Sequence, residues 1–134
     1  MINHNGHNIE RQINNLLHGV VCLESSHYDI LHGDYVYEVK SCKEIIETGE
    51  KRQRGKILIN VNTHRQTLMT HGEKYKYIIV ITLDGVKIVR AFVVSGQSMD
   101  VLIESKRHRM HRGMLVTEIY HSDIPVTWVE QVVI

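Results

Sequence analysis

The chain has 134 residues, the length of one ordinary domain given that domains cluster near ~100–150 residues, which argues against a two-domain enzyme. With 43% hydrophobic and 23% charged residues, 9 Gly and only 1 Pro, the composition is that of a globular protein with a sizeable core, not a disordered or collagenous chain. Sixteen Lys+Arg against 15 Asp+Glu leave a formal net charge of +1, so any polyanionic partner must be argued from local charge.

In chain order, Ile9, Ile13, Leu16 and Leu17 recur at helical spacing, and Gly19 follows as a C-cap, which predicts an amphipathic helix from about residue 4 to 18. The pattern then changes to β-rich runs, Val20–Glu24, Tyr28–Leu31 and Tyr35–Ser41, the last two forming a hairpin around Gly33-Asp34. Residues 43–56 are polar and charged around Gly49 and Gly55 and read as a loop, ahead of the short apolar run Ile57-Leu58-Ile59. Asn62 or Thr63 can cap a second helix running to about Thr70 and ended by Gly72. Tyr75–Leu83 and Val86–Val94 read as two strands joined by a type I′ turn at Asp84-Gly85. A short helix at Ser98–Ser105, a basic loop at 106–112, a strand at Met114–Tyr120 and a final strand or extended tail around Trp128 complete the reading. The order predicts one α/β domain over residues 1–134, in the sense of an α+β mixed sheet.

The longest apolar stretch, Tyr77-Ile78-Ile79-Val80-Ile81, falls far short of the ~20 residues that cross a bilayer, and Met1 is followed by polar residues, so a cytoplasmic protein without membrane contact is expected. Cys22 and Cys42 lack CxxC spacing and read as free thiols. The ten histidines include the i,i+3 pairs His4/His7 and His108/His111, but no zinc-ligand pattern follows them.

The hairpin at residues 28–41 carries the most informative chemistry. A two-residue Gly33-Asp34 turn, with Gly first as type II′ requires, sets Asp29 opposite Glu38, and strand alternation puts Lys40 on the same face. Like charges directly opposite one another are destabilising, so the acids need a cation, either Lys40 or a metal. Oxygen-only ligands favour a hard ion such as Mg²⁺, which keeps positions for water and substrate phosphate, and so point to phosphodiester chemistry. The bland alternative is the solvated face of an amphipathic hairpin. Against it, Leu31 and Val36 share the charged face while Tyr28, Ile30, Tyr37 and Val39 take the other, so both faces are expected to be partly buried.

These residues carry a resemblance. Tyr28-Asp29-Ile30, then Glu38-Val39-Lys40-Ser41 with eight residues between Asp29 and Glu38, preceded by a helix containing Glu10, resembles the PD-(D/E)XK nuclease superfamily, and in length the small archaeal Holliday junction resolvases. The resemblance implies a core of one helix, a three-stranded antiparallel meander, a second helix and a further strand, over roughly residues 5–94. It makes Asp29 and Glu38 metal-binding carboxylates, Lys40 the catalytic lysine, Glu10 the first-helix glutamate and the Val39 carbonyl a metal ligand. It further implies Mg²⁺, with Mn²⁺ as a substitute, DNA as partner and a homodimer. Tyr28 stands where the motif has proline, and Asp34, in the turn, is the rival to Asp29.

From Lys40 to Arg65 the chain has seven bases (Lys40, Lys43, Lys51, Arg52, Arg54, Lys56, Arg65) against three acids, and residues 106–112 add Lys106, Arg107, Arg109 and Arg112. Lys51, Arg52, Arg54, Lys56 and Arg65, with that second cluster, are the expected DNA-contacting residues; a solvated basic surface is the alternative. His64 and Gln66 on the second helix are further candidates for the site. The sequence thus points to a metal-dependent DNA endonuclease, with a junction resolvase and a restriction or repair nuclease both open. An inactive nucleic-acid-binding or assembly protein of the same fold, and a histidine-rich metal-binding protein, are the competing readings.

Overall fold

The computed structural model describes residues 9, 11–12, 20–21, 28–49, 51–85 and 87–132. Most of the first predicted helix, including Glu10, lies outside them, as do His4, His7, Cys22 and Val133; Ile9, Arg11 and Gln12 are helical. The architecture is mixed α/β. Strands β1 (Val20–Val21), β2 (Ile30–His32), β3 (Tyr35–Lys43), β7 (Tyr75–Thr82), β8 (Ile88–Ser95) and β11 (Glu130–Val132) form the main sheet, in the order β1-β2-β3-β7-β8-β11. The β1-β2-β3 pairings are antiparallel, β3 and β7 run parallel, and β7-β8 and β8-β11 are antiparallel again. Between β3 and β7 the chain makes the hairpin β4 (Ile45–Thr48)–β5 (Lys51–Arg54), strand β6 (Lys56–Asn60) and helix α1 (Val61–His71). Helix α2 (Gly96–Ser105) follows β8, and β9 (Arg109–His111) and β10 (Met114–Tyr120) complete a second sheet ordered β6-β10-β9.

Strand β7 is buried almost throughout, as a central strand covered on both faces must be, and its near-continuous apolar run is the signature of that burial. One face of the main sheet, with Val36, Tyr75, Tyr77, Ile79 and Phe92, packs on α1, α2 and the second sheet through Val61, Met99, Ile103, Ile57 and Ile119. The other face gathers Ile30, Tyr37, Val39, Ile78 and Val80 beneath Ile9. Leu31 and Val36 pair across the hairpin, and Gly33 has φ +60° while Asp34 stays out of the left-handed region, as a type II′ turn requires.

Three expectations are corrected. Residues 43–56 are not a loop: Glu47↔Arg52 and Thr48↔Lys51 pair in the β4–β5 hairpin around Gly49, whose φ is +60°. Long charged side chains satisfy a two-sided, solvated hairpin, so polarity alone concealed it. Residues 106–112 likewise contain β9, which turns into β10 through Arg112 (φ 50°) and Gly113 (φ 78°), a turn whose first residue is neither Asn, Asp nor Gly. At Asp84-Gly85 the strands end earlier, at Thr82 and Ile88, because the register shifts between Ile81 and Thr82. The longer connection is closed by the Leu83 N–H on the Lys87 carbonyl (2.9 Å) and by the Asp84 carboxylate, which accepts from the Lys87 N–H (2.9 Å).

Helix α1 begins earlier than predicted because Asn60 is its N-cap: the side chain accepts from the Thr63 N–H at 3.1 Å. Asn60→Ala should cost about 1 kcal/mol, read as a lower midpoint in urea with unchanged slope; an unchanged midpoint would mean the cap is unimportant. In the last segment, Ile124 is buried, Trp128 and Val129 pack on the larger core, and Val132 packs on the smaller, so these apolar residues fill the protein's own interior while Val126 stays exposed.

Candidate functional site

Strand β3 presents Glu38 and Lys40 on the face that carries α1 and the larger core, with Glu38 beside Tyr77 and Lys40 beside Ile79 of β7. Asp29 reaches them from just outside β2. Its N–H donates to the Tyr37 carbonyl (2.8 Å), and its carboxylate oxygen Oδ2 accepts from the Val39 N–H (2.8 Å). The Asp29 side chain therefore occupies the place on the β3 edge that a strand carbonyl would take, near enough for its charge to act on the Glu38 carboxyl. Because ladder pairing stops at Ile30, the alternation expected of Tyr28 fails: Tyr28 packs on the larger core and meets the His71 ring edge-on at 5.3 Å. The Lys40 ammonium lies 3.5 Å from Glu38 Oε1, and the two side chains are 29% and 18% exposed. Asp34 sits in the exposed turn, so Asp29 and not its rival joins the acid pair.

Burial pushes the Glu38 carboxyl up to about 8; the Lys40 ammonium opposes that shift and the Asp29 charge adds to it. Burial also raises Asp29, against the Val39 N–H and Lys40. One ammonium thus leaves two half-buried carboxyls short of positive charge, and near neutrality the pair retains a proton where a cation would otherwise sit. The donor set suits a hard divalent ion: Asp29 Oδ1 and the Glu38 oxygens are carboxylate donors, and the Val39 carbonyl faces the same strand edge as its N–H. Among the described residues no group of three or more His, Cys, Asp or Glu surrounds a single point, so an ion here would rely on water or phosphate for its remaining ligands.

Beyond the acid pair lies a polar network of which the sequence marks only His64. His64 on α1 is fully buried; its Nδ1 lies 2.8 Å from the Tyr77 hydroxyl and its Nε2 2.9 Å from Asp100 Oδ1 on α2. The Tyr75 ring lies beside that of Tyr77, centroids 5.2 Å apart. Two tyrosines two residues apart on the strand parallel to β3 were a further local signal, not taken up from the sequence. Asp100 offered none, because its role depends on α2 docking beside α1. Gln66 is exposed and stands outside this network.

The basic residues are mostly engaged. Arg65 clasps Glu104 through two bonds of 2.8 and 2.9 Å, Lys56 and Arg109 share Glu118 (both 2.6 Å), and Lys106 meets Asp123 at 2.9 Å. Arg54 and Arg52 pair with Glu44 (3.4 Å) and Glu47 (3.7 Å). Among the described residues Arg107 and Arg112 make no ion pair, and Lys51 lies in β5. Exposed pairs of this kind are worth only ~0–1 kcal/mol each, so phosphates can displace the acids at small cost. Lys106, Arg107, Arg109, Glu118 and Tyr120 line an open cleft of about 460 Å³. Elsewhere, Cys42 is a free thiol that burial pushes up to about 11, and His108 hydrogen-bonds the Ile103 carbonyl at 2.9 Å. No described helix is long and apolar enough to cross a membrane. The chain matches no protein-family model and no curated protein.

Proposed function

We propose that the protein is a metal-dependent DNA endonuclease of the PD-(D/E)XK type, with Asp29, Glu38 and Lys40 as its catalytic centre. One observation carries this reading: the β2–β3 hairpin holds the half-buried Asp29 and Glu38 carboxyls close enough for one charge to act on the other, with a single ammonium 3.5 Å from Glu38, a charge arrangement complete only with a further cation. The chain order adds support, since an antiparallel β1-β2-β3 meander, a helix and a strand parallel to β3 follow one another as that superfamily's core would have them.

Asp29 and Glu38 would hold Mg²⁺, or Mn²⁺ in its place, with the Val39 carbonyl as third protein ligand and Glu10 as the first-helix glutamate. Bound there, the ion would polarise the scissile phosphate and lower the pKa of water. The chain's own groups do the rest. Asp29 is held by the Val39 N–H and so presents one oxygen in a fixed direction. Lys40, beside Glu38 on the same face, orients the attacking water and stabilises negative charge developing on the phosphate. Arg107, Arg112 and the exposed, loosely paired bases neutralise the flanking phosphates of a substrate bound largely without sequence preference. A homodimer would place two such centres on paired strands.

The test incubates the protein with labelled four-way junction, linear duplex and single-stranded DNA, with Mg²⁺ or with chelator. Cutting that requires Mg²⁺ and falls by ~10²–10³-fold or more in Lys40→Ala and Asp29→Ala supports the endonuclease. Junction cutting well above duplex cutting would identify a resolvase; comparable rates would favour a restriction or repair role. Binding without any cutting would replace the enzyme with a DNA-binding protein of the same fold.

A further inference from the structure

Between β3, β7 and α1 lies a cavity of about 20 Å³, lined among others by Glu38, Lys40, Asn60, His64, Tyr75 and Tyr77. That volume accommodates one water molecule, which needs roughly 10–15 Å³ and two to four polar partners. His64 and Tyr77 in the cavity wall are the inner members of the chain Asp100–His64–Tyr77, whose hydrogen-bond direction can be worked out from the surface end. A carboxylate only accepts, so Asp100 requires the proton on His64 Nε2. Burial holds the His64 imidazole below its usual range, against the opposing pull of Asp100, so the ring is neutral at pH 7. A neutral ring protonated at Nε2 leaves Nδ1 as an acceptor, and the Tyr77 hydroxyl must donate to it across 2.8 Å. With its proton committed to His64, the Tyr77 hydroxyl has only an oxygen lone pair left to offer. Tyr77 lines the cavity, so that lone pair is the free end of the chain.

We infer that His64 and Asp100 are positioning residues that orient the Tyr77 hydroxyl so that the cavity beside Glu38 and Lys40 is met by an oxygen lone pair, and that this cavity takes one water as a donor to Tyr77. A water whose proton is held by Tyr77 keeps its own lone pair for the Lys40 side, where the ammonium donates. The arrangement fixes both the place and the orientation of a water at the acid pair, through a chain anchored on a different helix. The inference rests on the endonuclease reading for its effect on rate, not for the hydroxyl orientation itself. The two helices that hold the chain are also clasped on the outside by Arg65 and Glu104.

The test has two arms on the full chain. In ¹⁵N-resolved NMR at pH 7, His64 should be the Nε2–H tautomer with a slowly exchanging proton; an Nδ1–H tautomer would reverse the Tyr77 hydroxyl and overturn the inference. In Mg²⁺-dependent DNA cleavage, Asp100→Asn and Tyr77→Phe should lower kcat by about 10- to 100-fold with KM nearly unchanged, and Asp100→Glu should regain most of the loss. Variants that keep the wild-type circular dichroism spectrum yet cut within twofold of wild type would also overturn it. A wild type that cuts no DNA would instead refute the endonuclease reading, while the tautomer still decides the hydroxyl orientation.

Discussion

Replacing Glu38 by Gln is expected to abolish Mg²⁺-dependent cleavage, a loss of at least ~10³-fold, and at the same time to stabilise the metal-free protein at alkaline pH. The second effect follows from the sign of the linkage. Burial raises the folded-state Glu38 carboxyl to about 8 from its ordinary 4.5. The native state therefore binds more protons than the unfolded chain between those values, and stability is complete below pH 4.5 and lost as pH rises through 8. Glutamine mimics the protonated carboxyl at every pH and removes this loss. In chelator, the wild type should lose a few kcal/mol of unfolding free energy between about pH 5 and 9 that Glu38→Gln retains, with Asp29, shifted in the same direction, adding a smaller share. Mg²⁺ should restore the wild type far more at pH 8.5 than at pH 6, because the ion replaces the proton. Parallel stability–pH curves for wild type and Glu38→Gln would show that Glu38 is not held in its acid form.

The largest purely structural effect is expected at Gly55. This residue joins β5 to β6 under the end of β3, and a Cβ placed there would lie 1.7 Å from the Lys43 carbonyl oxygen and 2.8 Å from its carbon. Both clashes are with backbone, which no rotamer change relieves. The same residue ties three segments together: its N–H donates to the Glu44 carbonyl (3.1 Å) and its carbonyl accepts from the His121 N–H (3.1 Å). The His121 ring lies 2.9 Å from that Glu44 carbonyl as well. Gly55→Ala should cost more than about 3 kcal/mol and lower Tm by roughly 10 °C or more. Gly33→Ala is the contrast. Its added Cβ meets nothing within 4 Å and suffers only the positive φ of +60°, so ~1–2 kcal/mol is expected. Equal losses at the two positions would contradict the steric account.

The hairpin chemistry was readable because it depends on local rules alone. A Gly33-Asp34 turn sets the β2–β3 register, and the register brings Glu38 and Lys40 to one face. What local rules did not reveal is that Asp29 leaves the ladder and binds Val39 with its side chain, which moved Tyr28 to the opposite face from the one predicted. The strands β5 and β9 escaped detection because they are polar and charged but for Met110, which is exposed, so no buried apolar face marks the period. Tertiary placement hid the Asp100–His64–Tyr77 chain: its members come from α2, α1 and β7, and no spacing along the sequence brings an aspartate at 100 to a histidine at 64. The near-zero net charge, which spoke against a polyanion-binding protein, reflects how acids such as Glu104, Glu118 and Asp123 are stationed against the bases rather than an absence of basic surface.

Anomalous scattering from Mn²⁺-soaked crystals of the wild type decides whether Asp29 and Glu38 form a divalent-metal centre beside Lys40. A Mn²⁺ peak within coordination distance of both carboxylates is expected, and it should be absent from Glu38→Gln crystals treated in the same way. No peak at this pair, or Mn²⁺ bound only at the histidines, would contradict the metal centre and with it the catalytic role of the hairpin.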